Sequence, residues 1–222
     1  THKRAHIQSN TDVSVSGRTI KNETTQIIGA DLNLSAETIQ NLEGSKLISE
    51  GSLNISADTV INNDARILSN NDVHITAGTV TNTGGGEIVG EDSLSISAET
   101  VTNTGAAVMT GDDVDLLAGA VSNTDGGKMT AVSNLEIEAD SVENNAAIIQ
   151  SNNSLKIKAE SLTNTAGILY GKTVALAKRA VNLVLRNDDG AEIVGEDSLS
   201  ITAETVTNTG DAVMTGNDVH LL

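Results

Sequence analysis

Acidic residues recur along the chain and are the groups best suited to chemistry. Glu91-Asp92, Asp112-Asp113, Glu196-Asp197 and Asp218 occupy equivalent points of an internal repeat. Paired carboxylates can act as general acid and base in glycoside hydrolysis, and carboxylate oxygens also bind Ca²⁺. An active site is expected only once in a chain, whereas these pairs recur, and they lack the glycine-rich spacing of calcium-binding β-rolls. We therefore predict solvated corners, with no catalytic residues, no metal site and no cofactor.

The composition restricts the function classes further. Thirty acidic residues against thirteen basic ones give a net charge of -17. Nucleic-acid binding needs clustered Lys and Arg, so we expect no nucleic-acid partner. Tyr170 is the only aromatic residue, and Phe, Trp, Pro and Cys are absent. Since globular cores normally use aromatic side chains, this composition favours a narrow core built from small aliphatic ones.

A repeat of about 20 residues runs through the sequence and would position the acidic corners. Successive copies begin 19 to 21 residues apart, except for one interval of 25. They align on Gly17, Ala36, Ala57, Ala77, Ala98, Ala118, Ala139, Ala159, Lys178 and Ala203. The positions four and two residues before this anchor, and three residues after it, are aliphatic in every copy.

The local pattern of each copy indicates short strands. Leu94-Ser95-Ile96-Ser97-Ala98 alternates with period 2, as in a strand with one buried face. A second short strand follows at Thr100-Val101-Thr102, and a third lies around Glu87-Ile88-Val89. Gly- and Asn-rich corners separate the strands, so three short strands and three turns form one coil of about 20 residues.

An asparagine follows the anchor by five residues in nearly every copy. The column comprises Asn22, Asn41, Asn62, Asn82, Asn103, Asn123, Asn144, Asn164 and Asn208, and Leu183 interrupts it. Asn tolerates left-handed turn geometry, and stacked amides can hydrogen-bond along a column. We interpret these residues as a structural corner.

Two further features favour stacking in register. Glu136 and Glu138 precede Lys156 and Lys158 by one copy, which predicts ion pairs between neighbouring coils. The segment 87–117 differs from 192–222 at four of its 31 positions, so 27 are identical. The offset of 105 residues corresponds to five coils and indicates duplication of a block.

The pattern breaks after the anchor Lys178, where the copy is 25 residues long. We predict a loop insertion over 178–190. Because insertions in solenoids often lie on a binding face, an interaction loop is one interpretation and a duplication junction is the other. The charged candidates for such a loop are Lys178, Arg179, Arg186, Asp188 and Asp189.

A second open question concerns the residue after the buried position of the third strand. This column begins Ile28, Ile48, Leu68, Val89 and Met109. If exposed, it would be a docking stripe. We expect it to turn inward and to belong to the core.

The fold class that fits these observations is all-β. We predict a right-handed parallel β-helix, a β-solenoid of about ten coils of 19–21 residues with one coil of 25. Left-handed β-helices are built from hexapeptides, and 20 or 21 is not a multiple of six. Residues 1–222 are expected to form a single β-helix segment cut from a longer chain, which allows end-to-end self-association through open strands.

The repeat units resemble the filamentous haemagglutinin repeat. The residues that carry the resemblance are 77–88, which contain Val80, Asn82 and Ile88, followed by 92–98. The resemblance covers about residues 7–222. It implies a structural or adhesive shaft of a large exoprotein of a Gram-negative two-partner secretion system, exported through an outer-membrane transporter to the cell surface or medium.

Several functions are compatible with such a shaft. It would present a tip or toxin domain, as in contact-dependent growth inhibition effectors, and contact a cell-surface receptor or glycan. The first alternative is the shaft of a secreted haemolysin. The second is a β-helical polysaccharide-degrading enzyme, which the single aromatic residue and the repeated corners disfavour.

Overall fold

The structure, a computed structural model, describes residues 6–180 and 182–222. Twenty strands form one continuous parallel assembly. The strands are β1 His6–Gln8, β2 Val13–Glu23, β3 Gln26–Gly29, β4 Leu32–Leu42, β5 Lys46–Ser49, β6 Leu53–Asn63, β7 Arg66–Ser69, β8 Asp72–Thr83, β9 Glu87–Thr104, β10 Val108–Thr124, β11 Lys128–Glu138, β12 Ser141–Asn145, β13 Ile148–Ser151, β14 Ser154–Ala159, β15 Ser161–Thr165, β16 Ile168–Lys178, β17 Val184–Asp188, β18 Glu192–Ile201, β19 Thr205–Asn208 and β20 Val213–Leu221.

Each strand pairs in parallel with the strand one coil further along the chain. β2 pairs with β4, β4 with β6, and β3 with β5 in the same direction. The predicted parallel β-solenoid is thereby confirmed, with about eleven coils. Right-handed coiling stays a prediction.

One coil shows how the sequence pattern produces three faces. In the coil that starts at Leu32, β4 runs along a first face to Ala36 and bends at Glu37, whose backbone leaves the register with β6. It then runs along a second face to Leu42, and β5 forms the third face. The alternating residues of these strands point inward and outward in turn, because successive side chains of a strand lie on opposite faces.

The core is a stack of aliphatic layers. The coil that starts at Leu32 contributes Leu32, Leu34, Ile39 and Leu47, all of them buried. Burial of each such side chain contributes about 1.5–3 kcal/mol before conformational entropy is subtracted. The predicted aliphatic columns correspond to these layers, except that Val181 lies outside the described residues.

Small residues fill two corner columns that the sequence pattern did not single out. One column precedes the third strand and contains Ser45, Ala65, Gly86, Ala107, Gly127, Ala147, Gly167 and Ala191. The other ends the third strand and contains Gly29, Ser49, Ser69, Gly90, Gly111, Ala131, Ser151, Gly171, Gly195 and Gly216. Small residues fit where the backbone changes direction, and the serines among them also bond between coils, since the hydroxyl of Ser45 donates to the carbonyl of Asn22 and that of Ser49 to the carbonyl of Ala30.

In the coils that contain Met109 and Met214, these methionines, and not the residues before them, occupy the inward column of the third strand. Met109 is fully buried and lies in register with Ile88, whereas Val108 and Thr110 point outward. The column of Ile28, Ile48, Leu68 and Val89 therefore continues through Thr110, not Met109. Ile28, Ile48, Leu68 and Val89 are only partly buried, so the expectation that the column belongs to the core was wrong for these four residues and right for Met109.

The copied block has the spacing in the structure that the sequence indicated. Ile88 stacks in turn on Met109, Met129, Ile149, Leu169 and Ile193, which makes five coil steps. The duplication therefore adds whole coils and leaves the cross-section unchanged.

No helix within the described residues has the length and apolar character needed to cross a membrane.

Candidate functional site

The most regular polar feature is a column of asparagines at the end of the second face, all of them buried except the last, Asn208. The side-chain amide of Asn22 donates to Oδ1 of Asn41 at 2.7 Å, and Asn41 donates to Oδ1 of Asn62 at 2.8 Å. The same bond recurs along the column at 2.8 or 2.9 Å. The members are Asn22, Asn41, Asn62, Asn82, Asn103, Asn123, Asn144, Asn164, Asn187 and Asn208.

Backbone carbonyls complete the asparagine column. Asn103 donates to the carbonyl of Ala107 in its own coil and to that of Lys128 in the next, each at 3.1 Å. Within the described residues, no buried side-chain nitrogen or oxygen lacks a partner. The column therefore has no free polar atoms to offer a ligand, and its chemistry is structural.

The left-handed turn lies just beyond the asparagines. The residue two positions after each Asn has a positive φ, between 47° and 69°. These residues are Thr24, Glu43, Asp64, Gly84, Gly105, Asp125, Ala146, Ala166, Asp189 and Gly210. The asparagines themselves do not adopt left-handed geometry, so that part of the interpretation was wrong. Their amides hydrogen-bond between coils, as predicted.

The asparagine column is not interrupted. Leu183, predicted to break it, is a buried apolar residue, and Asn187 lies in register between Asn164 and Asn208. Leu185, in register with Leu162, takes the aliphatic position that the alignment had given to Val181. The extra residues lie before β17, so an alignment that counts forward from Lys178 loses the register.

The insertion is consequently shorter than 178–190. β16 ends at Lys178 and β17 begins at Val184, so residues 184–188 of the predicted insertion belong to a strand of the coil. Arg179 extends back along the solenoid. Its guanidinium pairs with Glu138 at 3.4 Å and with Asp140, and donates to the carbonyl of Ala118 at 3.3 Å.

The five charged residues proposed for an interaction loop do not lie together in one loop. Lys178 is exposed and Arg179 is bound to earlier coils, whereas Arg186 and Asp188 belong to β17. Arg186 pairs with Asp188, and Asp189 lies exposed in the turn beyond. A hydrogen bond from Thr209, followed by that from Arg186, lowers the pKa of Asp188. Their role in interaction stays a prediction.

A charged ladder crosses the first face. Glu136 lies in register with Lys156, and Glu138 with Lys158, as predicted. The Nζ atoms of Lys156 and Lys158 lie 3.0 and 2.9 Å from Oε1 of Glu136. Partial burial acts to raise the pKa of Glu136, but the hydrogen bonds from the two lysines outweigh it and hold that pKa below its ordinary value.

Asp115 lies on the same face as Glu136, but its pKa is shifted in the opposite direction. It lies in register with Glu136 in the next coil. Burial raises the pKa of Asp115, and the neighbouring charges of Glu136 and Asp113 raise it further. This carboxylate is therefore held in an unfavourable environment, whereas Glu136 is stabilised by its lysines.

The carboxylates of the acidic corners do not converge on a shared site within the described residues. Glu91, Asp92 and Asp112 are exposed, and Asp113 accepts a hydrogen bond from the side chain of Asn134 at 2.9 Å. Among the described residues, no group of three or more His, Asp or Glu side chains is arranged to hold a metal ion.

Comparison with protein families agrees with this repetitive geometry. The model of the haemagglutinin repeat matches residues 4–44, 27–117, 75–188 and 171–221, and the overlapping matches together run from 4 to 221. The chain belongs to the haemagglutinin repeat family. Neither the comparison with curated proteins nor that with solved structures gives a match.

The haemagglutinin repeat of this chain is thus defined by more than its aliphatic pattern. Each repeat adds one Asn to the ladder and one small residue to each of two corners. The asparagines were visible in the sequence, whereas the small columns were hidden because Gly, Ala and Ser alternate in them. Asn187-Asp188-Asp189-Gly190 matches the Asn-x-x-Gly turns of other coils, and this was the signal that could have placed Asn187.

Proposed function

We propose that this chain is a shaft segment of a large bacterial exoprotein, secreted or displayed at the cell surface, which spaces a tip or toxin domain from the cell. The supporting observation is the unbroken register of the third face, which runs from Ile7 through Ile27 to Met214. Each coil adds about 4.8 Å of length, so about eleven coils extend on the order of 50 Å.

The family supports this proposal. Haemagglutinin repeats occur in secreted or surface-exposed bacterial proteins of the filamentous adhesin type. The family is structural and adhesive, which supports a shaft. Because the family implies a two-partner secretion context, we propose that an outer-membrane transporter is the partner of the chain during export.

The physical properties suit a spacer. Stability in a solenoid is a sum of contacts between neighbouring coils, so coils can be added without a new core. The net charge of -17 keeps an elongated molecule soluble and disfavours lateral association. The five-coil copy is the kind of change that alters length alone.

A surface-height measurement tests the spacer role. The chain is anchored through its amino terminus on a flat support and carries a fluorescent protein at its carboxyl terminus. Deletion of 87–191 joins Gly86 to Glu192, which occupies the position of Glu87, and removes five coils. The fluorophore should approach the support by about 24 Å.

A deletion one residue shorter provides a comparison. Removal of 87–190 leaves Ala191 as one extra residue in a corner, and the coils of this chain already vary between 19 and 21 residues. This variant should therefore shorten by the same five coils. An unchanged fluorophore height after the in-register deletion would contradict the spacer role.

A further inference from the structure

The outward charge of the first face changes sign between two neighbouring coils. Each coil presents two outward side chains on this face, one on either side of a buried aliphatic residue. β11 presents Glu136 and Glu138, and β14, which pairs with it in register, presents Lys156 and Lys158. Two negative charges therefore lie one coil away from two positive charges, in the same two columns.

These four charged side chains keep bonding capacity towards the outside. Nζ of Lys156 lies 3.0 Å from Oε1 of Glu136, whereas that of Lys158 lies 2.9 Å from the same atom and 3.5 Å from Oε2 of Glu138. These contacts run along the solenoid, and the side chains stay 32–42% exposed. Because an ammonium group has three donors and a carboxylate accepts several bonds, a second molecule can engage the same groups from outside.

The coils that flank the charged pair also match one another. On the acidic side the next coil presents Asp115 and Leu117, and Leu117 is 48% exposed. On the basic side the next coil presents Ala175 and Ala177, both half-buried. A projecting leucine and two small alanines are complementary in shape and polarity, so the two sides can face each other without a clash or a like charge.

A two-fold axis between β11 and β14, parallel to these strands, brings the two sides together. Rotation about it turns the face over and reverses the direction of the solenoid, while each outward column stays opposite itself. Glu136 of one molecule then faces Lys156 of a second copy. One coil further from the axis, Leu117 faces Ala177 of the second copy. Each contact occurs twice, as in every isologous interface.

We propose that the first face binds a second copy of this chain, side by side and antiparallel. Charge selects this arrangement, since a shift by one coil would place Glu136 opposite Glu136, or Lys156 opposite Lys156. A parallel arrangement would also set acids against acids, which is unfavourable. The net charge of -17 opposes association in general, so only an arrangement with local complementarity can form. Such pairing joins two shafts and is additional to the spacer role.

The position of the axis defines the shape of the dimer. Seven first-face strands lie on its amino-terminal side and four on its carboxy-terminal side. The two molecules therefore overlap over about eight coils, a strip of about 38 Å, and about three coils of each molecule project beyond it. This strip is smaller than a standard protein interface, so we expect a weak dimer.

Sedimentation equilibrium and small-angle X-ray scattering of the whole chain, over a concentration series, test the pairing. The chain should be monomeric at low concentration, and dimer should accumulate as the concentration rises. The dimer should be about 14 Å longer than the monomer and thicker in cross-section. A dimer joined end to end would instead be about 50 Å longer, and this result would overturn the proposal, as would a chain that stays monomeric up to its solubility limit.

Charge reversal identifies the residues of the interface. Glu136→Lys with Glu138→Lys, and Lys156→Glu with Lys158→Glu, each set like charges opposite one another and should abolish the dimer. The first variant should lose it although its net negative charge is smaller. An equimolar mixture of the two variants restores opposite charges across the axis, so a mixed dimer should form.

Two further variants control for net charge and for folding. Lys46→Glu with Lys128→Glu, on the third face, changes the net charge as much as reversal of the two first-face lysines and should weaken the dimer little. Leu117→Ser introduces the residue that occupies the same column at Ser97, so the coil accepts it. It should weaken the dimer about tenfold. Circular dichroism confirms folding, and if a charge-reversed variant unfolds, Leu117→Ser decides.

Three outcomes with these variants would overturn the interface: a dimer that persists in either reversed variant, a mixture that forms no mixed dimer, or equal dimerisation of Leu117→Ser and the unaltered chain. Deletion of 87–191 removes both charged coils, so the shortened chain should stay monomeric. Its fluorophore height is measured on single anchored chains, and the spacer role is therefore tested independently of the pairing.

Discussion

Asn82 donates its side-chain amide to Oδ1 of Asn103, one coil further along, at 2.9 Å. The same nitrogen lies 3.0 Å from the carbonyl oxygen of Gly86 and 2.9 Å from that of Val108. One buried side chain therefore joins the second face, the corner and the third face of two successive coils. This relationship repeats along the solenoid and connects its stability to its register.

Replacement of a central asparagine should be costly. Asn103→Ala removes the acceptor of Asn82 and the donors to Oδ1 of the buried Asn123 and to the carbonyl of Lys128, whereas the carbonyl of Ala107 keeps the backbone N–H of Lys128. Each unsatisfied buried group costs about 1–3 kcal/mol, so unfolding free energy should fall by at least about 2 kcal/mol. Urea denaturation followed by circular dichroism measures the loss. Asn208→Ala, in an exposed position of the last coil, should change it by less than about 0.5 kcal/mol. Equal losses at both positions would refute the ladder as a buried support.

Corner glycines should differ in their tolerance of a methyl group. A Cβ at Gly90 would lie 1.9 Å from the backbone oxygen of Ser93, so the backbone must move. Gly90→Ala should reduce unfolding free energy by about 1–3 kcal/mol. At Gly17 the nearest atom would be 4.0 Å away, and the same column carries Ala36. Gly17→Ala should be neutral or stabilising by up to about 1 kcal/mol. Thermal unfolding of both variants gives the comparison, and a neutral Gly90→Ala would show that the corner is not tightly packed.

Asp115 should be a site where loss of charge stabilises the fold. Its pKa is raised by burial and by Glu136 and Asp113, so ionisation costs more in the folded than in the unfolded chain. Asp115→Asn should therefore increase unfolding free energy at neutral pH by about 0.5 kcal/mol or less, because Asp115 is exposed and solvent screens its interactions. The gain should vanish as the pH falls below the ordinary pKa of Asp, because the carboxyl is then protonated in both states. A gain of equal size across this range would mean that charge is not its cause. Asp197→Asn, at the exposed pair with Lys172, should have little effect.

Arg179 should stabilise the coil that contains the insertion. Its guanidinium is 26% exposed and pairs with Glu138 and Asp140, besides donating to the carbonyl of Ala118. Arg179→Gln should lower unfolding free energy by about 1 kcal/mol or more, because hydrogen bonds of charged groups to partly buried acceptors are stronger than exposed pairs. Arg18, 84% exposed beside Glu37, supplies the control, and Arg18→Gln should change little. Equal effects in urea denaturation would show that Arg179 does not fasten the insertion to the earlier coils.

The sequence pattern predicted the solenoid because its signals are local and repeat in every coil. Alternation such as Leu94-Ser95-Ile96 defines an inward face wherever it occurs, and the recurring Asn defines a corner. Glu136 and Lys156 could be paired because their columns were already aligned.

The errors arose where the pattern gave two registers that differ by one or a few residues. Met109 and Val108 are both apolar, and only the pairing with Ile88 shows which one is buried. Leu183 was aligned with the asparagines because the position of the insertion was not known from the sequence. The residue that lies in the asparagine column is Asn187.

Small-angle X-ray scattering of the chain and of its in-register deletion tests the central claim most directly. If uniform coils stack along one axis, removal of 87–191 should reduce the maximum dimension by about 24 Å and leave the cross-sectional radius unchanged. A change in cross-section, or an unchanged maximum dimension, would contradict the account of this chain as a solenoid shaft.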